Sequence, residues 1–408
     1  MVEHDFILSF SDSGAVDAGS VKAAAATVAK GLVALYDGDS GGTLGKWPYP
    51  PYYWWESGAA WGALINYWYY TGDDTYNDIT RTGLAAQISS TNDFMPKAET
   101  FNLGNDDQAF WAIAAMSAAE KGFPAPPSPY PGWLTIVENV FNDWVGRWAT
   151  ESCNGGLKWQ IFSENSGYDY KNSISNGGFF QIAARLAQAT HNQTYVDWAN
   201  KIWDWTTSVG LIDDSYNVYD GTDDTDNCTS LNHLQWTYNV GMWLYGAAVL
   251  QNYTNGAETW ADRTTGLLDS TSLFTSPFSN ATDVLYETAC EKLGNCNTDQ
   301  LSIDGCARQF HFECKYNSFN NIIHLFDHNV VTVVTPEFDI VLYNKCDDHK
   351  LNFICTDINT HVINHASRFL IIDAINSDIY LNLGISNHKR SAVYWIGGPN
   401  SRHTFDSS

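Results

Sequence analysis

Two adjacent aspartates, Asp106 and Asp107, sit in the stretch 101–121, FNLGNDDQAFWAIAAMSAAEK, and offer this chain its clearest chemistry. Two carboxyl groups held close can divide acid and base work, because the charge of one raises the pKa of the other. Asn105 before them is a good helix N-cap, and acids in a first turn favour the helix dipole. That role alone would explain the pair, and Asp73-Asp74, Asp213-Asp214, Asp223-Asp224 and Asp347-Asp348 read mostly as loop or turn acids. The helix behind Asp106 and Asp107 sets them apart. From Ala109 to Ala119 it is apolar almost all the way round. A helix with no wet face belongs inside a protein. Its carboxylates must then open into a cavity, or be paired, since lone charges do not sit in a dry core.

Other candidates are weaker. Asn176, with Gly177 and Gly178, starts a later helix, where an amide and two small residues would let a sugar approach or would simply cap the helix. Gln235, Trp236, Tyr238 and Asn239 start another, expected at the same rim as Asp106, with Trp236 equally suited to the core. Asn105 and Trp55 complete the candidate binding set, though core packing is the simpler reading of Trp54 and Trp55. Asp223, Asp224 and Asp226 are acid-rich but lack the calcium-loop spacing, so no metal site is assigned. His233 reads as a capping or hydrogen-bonding residue. No C-x-x-C occurs, which argues against zinc.

The totals set limits. A 408-residue chain with 44% hydrophobic residues and 17 Trp has ample material for a core. A net charge of −25 argues against nucleic-acid partners and anionic membrane surfaces. No run of apolar residues is long enough to cross a membrane. MVEHDFILSF does not read as a signal peptide. Sequons at Asn192, Asn227, Asn252 and Asn280 support secretion mildly. Cys290 and Cys296 are close enough to bridge a small loop, whereas Cys153 has no obvious nearby partner.

Hydrophobic periodicity predicts helices over 19–36, 54–70, 75–88, 105–121, 133–148, 175–189, 195–209, 236–253 and 258–268, with a tenth beginning near Asp299. Strand signals are nearly absent up to residue 303. Odd-numbered helices are more polar and even-numbered ones apolar and rich in small residues. That alternation fits an outer ring around an inner ring, an all-α α/α toroid with long loops framing a cleft at one rim.

The motifs YYWWESGAAWGALINYWYYTGDDTYND, FNLGNDDQAFWAIAAMSAAE, ISNGGFFQIAARLA, DWTTSVGLIDDSYNVYDGTDDTDNC, HLQWTYNVG and LYETACEKLGNCNTDQLS together resemble glycoside hydrolase family 76. More narrowly they resemble its fungal cell-wall subgroup, the mannan endo-1,6-α-mannosidases tied to defects in filamentous growth and cell wall. The resemblance covers about residues 16–303. It implies a six-hairpin α/α toroid, no cofactor, and a location at the cell wall or outer face of the plasma membrane. It implies cleavage of α-1,6-linked mannose in mannan or a GPI glycan, or transfer to a β-glucan acceptor, with Asp106 as nucleophile and Asp107 as acid/base. A retaining glycosidase needs two carboxyl groups about 5–5.5 Å apart, which neighbours at a helix start can supply. A non-catalytic mannan-binding wall protein is the rival from another class, and a toroidal lyase or inverting hydrolase is the second.

Residues 1–15 and 304–408 depart from that pattern. The last 105 residues hold one Trp and eight of the 11 His, and HNVVTVVTPEFDIVLYN and RFLIIDAINSDIYLNL read as β-rich. Three readings compete: a small β domain, an altered end of the toroid, or translated non-coding or frame-shifted sequence replacing the closing helices. The last is preferred, so the toroid is expected to be incomplete at its C-terminal end. No GPI-anchor signal is evident in the tail, and Cys306, Cys314, Cys346 and Cys355 show no metal spacing.

Overall fold

A computed structural model describes residues 18–101, 103–278 and 285–296, and the backbone of six further strands between residues 332 and 396. The chain divides into two compact units, Gly31–Leu325 and a second made of Met1–Lys30 with Phe326–Ser408. Helix α1 (Ala18–Ala34) runs across the division.

The larger unit is built on α2 (Trp54–Thr71), α4 (Asn105–Glu120), α6 (Ser173–Thr190) and α8 (Thr237–Tyr253). All four are buried almost throughout, as helices without a polar face must be. They run parallel and side by side. On α2 and α4, Trp111 Nε1 donates to Trp54 O at 3.2 Å near the start, and Trp68 meets Phe123 at the far end. Gly178 faces Ala109 and Arg185 meets Ser117 and Glu120, which aligns α6 with α4. Gly177 lies against Met242 and Trp243, and Gly246 against Phe180, aligning α8 with α6. The glycines let the backbones approach closely: an added Cβ at Gly246 would come within 2.5 Å of the Phe180 ring.

Outside this ring run α3 (Asn77–Ala85), α5 (Trp133–Arg147), α7 (Gln193–Ser208) and α9 (Glu258–Ser270), each burying one stripe. On α5 the stripe is Trp133, Ile136, Val137, Val140, Phe141 and Trp144, the three-and-four spacing of an amphipathic helix. Aromatic rings fill the space between the layers: Phe141 and Trp144 meet Phe179, and Trp203 meets Phe180. The expected division into polar outer and apolar inner helices is what the fold uses.

All four inner helices start at one rim, where the connections are long, while α2–α3 and α6–α7 join by short turns at the other. Two details differ from expectation. A small antiparallel sheet stands on the long-loop rim, β1 (Tyr170–Asn172), β2 (Gly221–Asp223) and β3 (Leu231–Asn232), too short to show alternation. Cys153 bonds Cys228, 75 residues away, beside the anticipated Cys290–Cys296 bridge. The tenth helix anticipated near Asp299 lies outside the described residues.

In the second unit the strands β4 (Thr332–Val334), β5 (Phe338–Leu342), β6 (Asn352–Asp357), β7 (Arg368–Ile375), β8 (Asp378–Ile385) and β9 (Ala392–Ile396) pair each with the next, antiparallel, as one meander. Both stretches read as β-rich contribute strands to it.

Candidate active site

The aspartate pair occupies the first turn of α4. Gly104, not Asn105, is the N-cap residue: its backbone is extended and its N–H donates to Asp107 Oδ2 at 2.7 Å. This is the returning half of a capping box; glycine has no side chain to make the other half. The Asp107 N–H in turn donates to Asp106 Oδ1 at 2.9 Å. Both aspartates are half-buried.

Glycine is required at 104 by space. A Cβ there would stand 2.2 Å from Asp106 Oδ1, 2.8 Å from Asp107 Oδ2 and 3.2 Å from Trp159 O. These two carboxylate oxygens are therefore no more than about 5 Å apart, close enough for both carboxyl groups to act on one glycosidic bond.

Asn105 is spent on holding the turn. Its N–H donates to Trp159 O and its Nδ2 to Lys158 O, both at 2.8 Å, and its Oδ1 accepts from Arg147. With both its Oδ1 and its Nδ2 engaged and the residue buried, it braces the turn. Asn176 is similar: Leu157 N–H donates to its Oδ1, and its Nδ2 donates to Leu157 O and Asn172 O. It ties α6 to the 157–160 segment. Trp55 is buried with its ring 4.5 Å from that of Phe110, and so belongs to the packing between α2 and α4.

The 157–160 segment joins the pair to a second acidic centre. The Trp159 N–H donates to Tyr170 O at 2.6 Å. Tyr170 Oη donates to Asp220 Oδ2 at 2.6 Å, and Asn232 Nδ2 donates to the same oxygen at 3.1 Å. Burial pushes the Asp220 carboxyl above its ordinary range, against the hydrogen bonds of Tyr170, Asn232 and neighbours at the start of α8. Burial and the Asp220 charge push Tyr170 upward too. Trp236 and Asn239 lie beside this carboxylate. Asn239 is wholly buried, while Gln235, Trp236 and Tyr238 are half-buried around it. The α8 start is fixed by Glu287, whose Oε2 accepts from Thr237 N–H at 3.1 Å and from its hydroxyl at 2.6 Å.

Three residues of this rim escaped the sequence reading. Gly104 and Asp220 are short and common types whose role depends on distant neighbours. Trp159 is half-exposed beside the aspartate turn, its ring backed by Gly167 at φ +90°, where a side chain would strike the indole. The acid-rich loop is accounted for internally: Asp224 pairs with Lys158 at 2.6 Å and accepts from Ser152. His233 lies edge-on to Tyr219. Among the described residues no group of three acidic, histidine or cysteine side chains is arranged to hold a metal.

This arrangement has known relatives. The model of glycosyl hydrolase family 76 matches residues 20–318. Mannan endo-1,6-alpha-mannosidase DCW1 of Candida glabrata is 48% identical over 297 residues, covering 72% of this chain and 65% of its own. The chain thus spans just under two-thirds of that relative's length. The crystal structure of Dfg5 from Chaetomium thermophilum in complex with glucosamine aligns at TM-score 0.69 and 38% identity, covering 75% of this chain and 77% of that one. An inactive variant of alpha-1,6-mannanase GH76A of Salegentibacter in complex with alpha-1,6-mannotriose, with two consecutive aspartates replaced, shares the fold at TM-score 0.58 and 18% identity over 75% and 82%. On the extent of the family match and the likeness to the mannosidases, the chain belongs to glycosyl hydrolase family 76.

Proposed function

We propose that the chain is an endo-acting retaining glycosidase or transglycosidase of α-1,6-linked mannose, acting in a fungal cell wall or at the outer face of the plasma membrane. The observation that carries this reading is the closeness of the Asp106 and Asp107 oxygens across Gly104. Asp106 attacks the anomeric carbon while Asp107 gives its proton to the departing glycosidic oxygen, leaving a mannosyl ester on Asp106. Asp107, now a carboxylate, takes a proton from water or from a glucan hydroxyl. That oxygen attacks the same carbon, and the ester bond to Asp106 breaks with net retention. The names of the mannosidase relatives support mannan as the substrate class, a GPI-glycan core being the other α-1,6-mannose source.

The second acidic centre suits sugar recognition. A buried carboxylate with a side-chain amide beside it, Asp220 and Asn239, suits a hydroxyl pair, and Trp159 offers a ring face.

The test is mass spectrometry of products from an α-1,6-mannooligosaccharide, with and without a glucan oligosaccharide, for the chain and for Asp106→Asn. Shortened or transferred products that vanish in the variant are expected. Equal product from both proteins would remove the catalytic assignment. Undiminished mannan binding with no product from either would make this a binding protein.

A further inference from the structure

Arg147, the last residue of α5, is a partly buried cation, and nothing in the chemistry above requires it. Its Nη1 reaches Asn105 Oδ1 and, at 2.9 Å, Gln108 Oε1. Its Nη2 lies 3.3 Å from Asp143 Oδ2 and 3.7 Å from the sulfur of Met95. Asp143 also accepts from Gln108 Nε2 at 3.1 Å, which closes a triangle of Arg147, Gln108 and Asp143. Asp93 is close enough to act on both charges of that pair.

The two α4 residues gripped by Arg147 bracket the aspartates. Positions three apart share a helix face, whereas the two between them point about 130° away on either side. Arg147 thus holds the back of the first turn while Asp106 and Asp107 project from its front. A side-chain tip stands about 5–6 Å from a helix axis, so a 20° rotation of the turn moves a carboxylate by about 2 Å. Misplacement of about 1 Å can cost on the order of a hundredfold in rate. The guanidinium fork suits this grip, because two acceptors on one turn and one carboxylate on another helix need donors in fixed directions.

We propose that Arg147, supported by Asp143, is a positioning residue that sets the rotation of the Asp106–Asp107 turn. This rests on the reading of those aspartates as catalytic, but the clamp itself can be tested without it. Arg147→Lys keeps the charge and loses the fork; Asp143→Asn keeps an acceptor and loses the anchor's charge.

The experiment measures steady-state kinetics on an α-1,6-mannooligosaccharide, thermal unfolding, and amide hydrogen exchange over residues 103–110. In Arg147→Lys, kcat is expected to fall by about a hundredfold with KM within about threefold of the original. Exchange at 106–108 should quicken, and Asp143→Asn should lie between the two. Unaltered kcat with unaltered exchange overturns the proposal, as does a loss shared by KM and stability without a separate fall in kcat. If the unmutated chain itself turns over nothing, the functional reading fails. Exchange at 106–108 then still decides the clamp, upheld if faster in Arg147→Lys and rejected if the same.

Discussion

The Gly104 N–H donates to Asp107 Oδ2 at 2.7 Å, so the residue that caps α4 and the third residue within the helix are held face to face. The same glycine leaves empty the volume where its side chain would collide with both carboxylates. Cap and carboxylate spacing are therefore one feature.

Gly104→Ala tests that statement. The backbone there, at φ −95°, suits alanine, so any effect comes from crowding. The methyl must displace Asp106 or Asp107, and kcat is expected to fall by about a hundredfold or more, with only a few degrees lost from the unfolding midpoint. Kinetics and calorimetry on one preparation measure both; a near-normal kcat would contradict the crowding.

The Cys153–Cys228 bond closes a loop of 75 residues, and Cys290–Cys296 one of 6. Chain-entropy reasoning assigns about 4 kcal/mol to the first and about 2 kcal/mol to the second. Cys228→Ser should accordingly lower the urea midpoint clearly more than Cys296→Ser. The reverse order would mean that the long loop is already constrained when unfolded.

Lys171 is wholly buried, and its ammonium donates to the carbonyls of Ala149, Ser152 and Gly155. Burial pushes its pKa down to about 8. Between pH 8 and the ordinary lysine value the unfolded chain binds more protons than the folded one, so stability rises with pH in that window. The stability of the chain minus that of Lys171→Met should rise by on the order of 2 kcal/mol from pH 8 to 10. A flat difference in chemical denaturation would show that the three carbonyls fully offset the burial.

Asp220 has the opposite sign. Burial raises its carboxyl above the ordinary value, so the folded chain holds that proton to higher pH than the unfolded one. Its contribution to stability therefore falls as pH rises from about 4 through the raised value. Asp220→Asn removes this dependence, and the stability of the chain minus that of the variant should be smaller at pH 7 than at pH 4. The variant is also expected to bind mannooligosaccharide at least about tenfold more weakly, by calorimetry. Full affinity would take Asp220 out of the binding site.

Much of the toroid could be read in the sequence because its layers differ in composition. A helix such as α4, apolar on every side, has one place to go, and α5 announces its buried stripe by spacing. That α8 starts at the same rim as the aspartate turn could also be anticipated. The braces could not. Asn105 and Asn176 look like sugar contacts until the carbonyls that claim their amides, Lys158 O and Leu157 O, are brought alongside by folding. For Trp55, an aromatic at a helix start, core packing is already the simpler reading, and the Phe110 ring beside it agrees. The strands β1 to β3 are two or three residues long, below the length at which alternation can register. The bond of Cys153 to Cys228 follows from the rim loops meeting, a property of the ring and not of either segment.

The side-by-side run of α2, α4, α6 and α8 also sets an order of birth. Each inner helix packs on the one made before it, so a nascent chain can dock every new hairpin onto a finished surface. The aspartate turn is different. Its own residues emerge early, but what steadies them, Arg147 and the carbonyls of Lys158 and Trp159, is translated only afterwards. A growing chain therefore carries its two acids before it can aim them, and gains that aim when the loop ahead of α6 folds back onto α4.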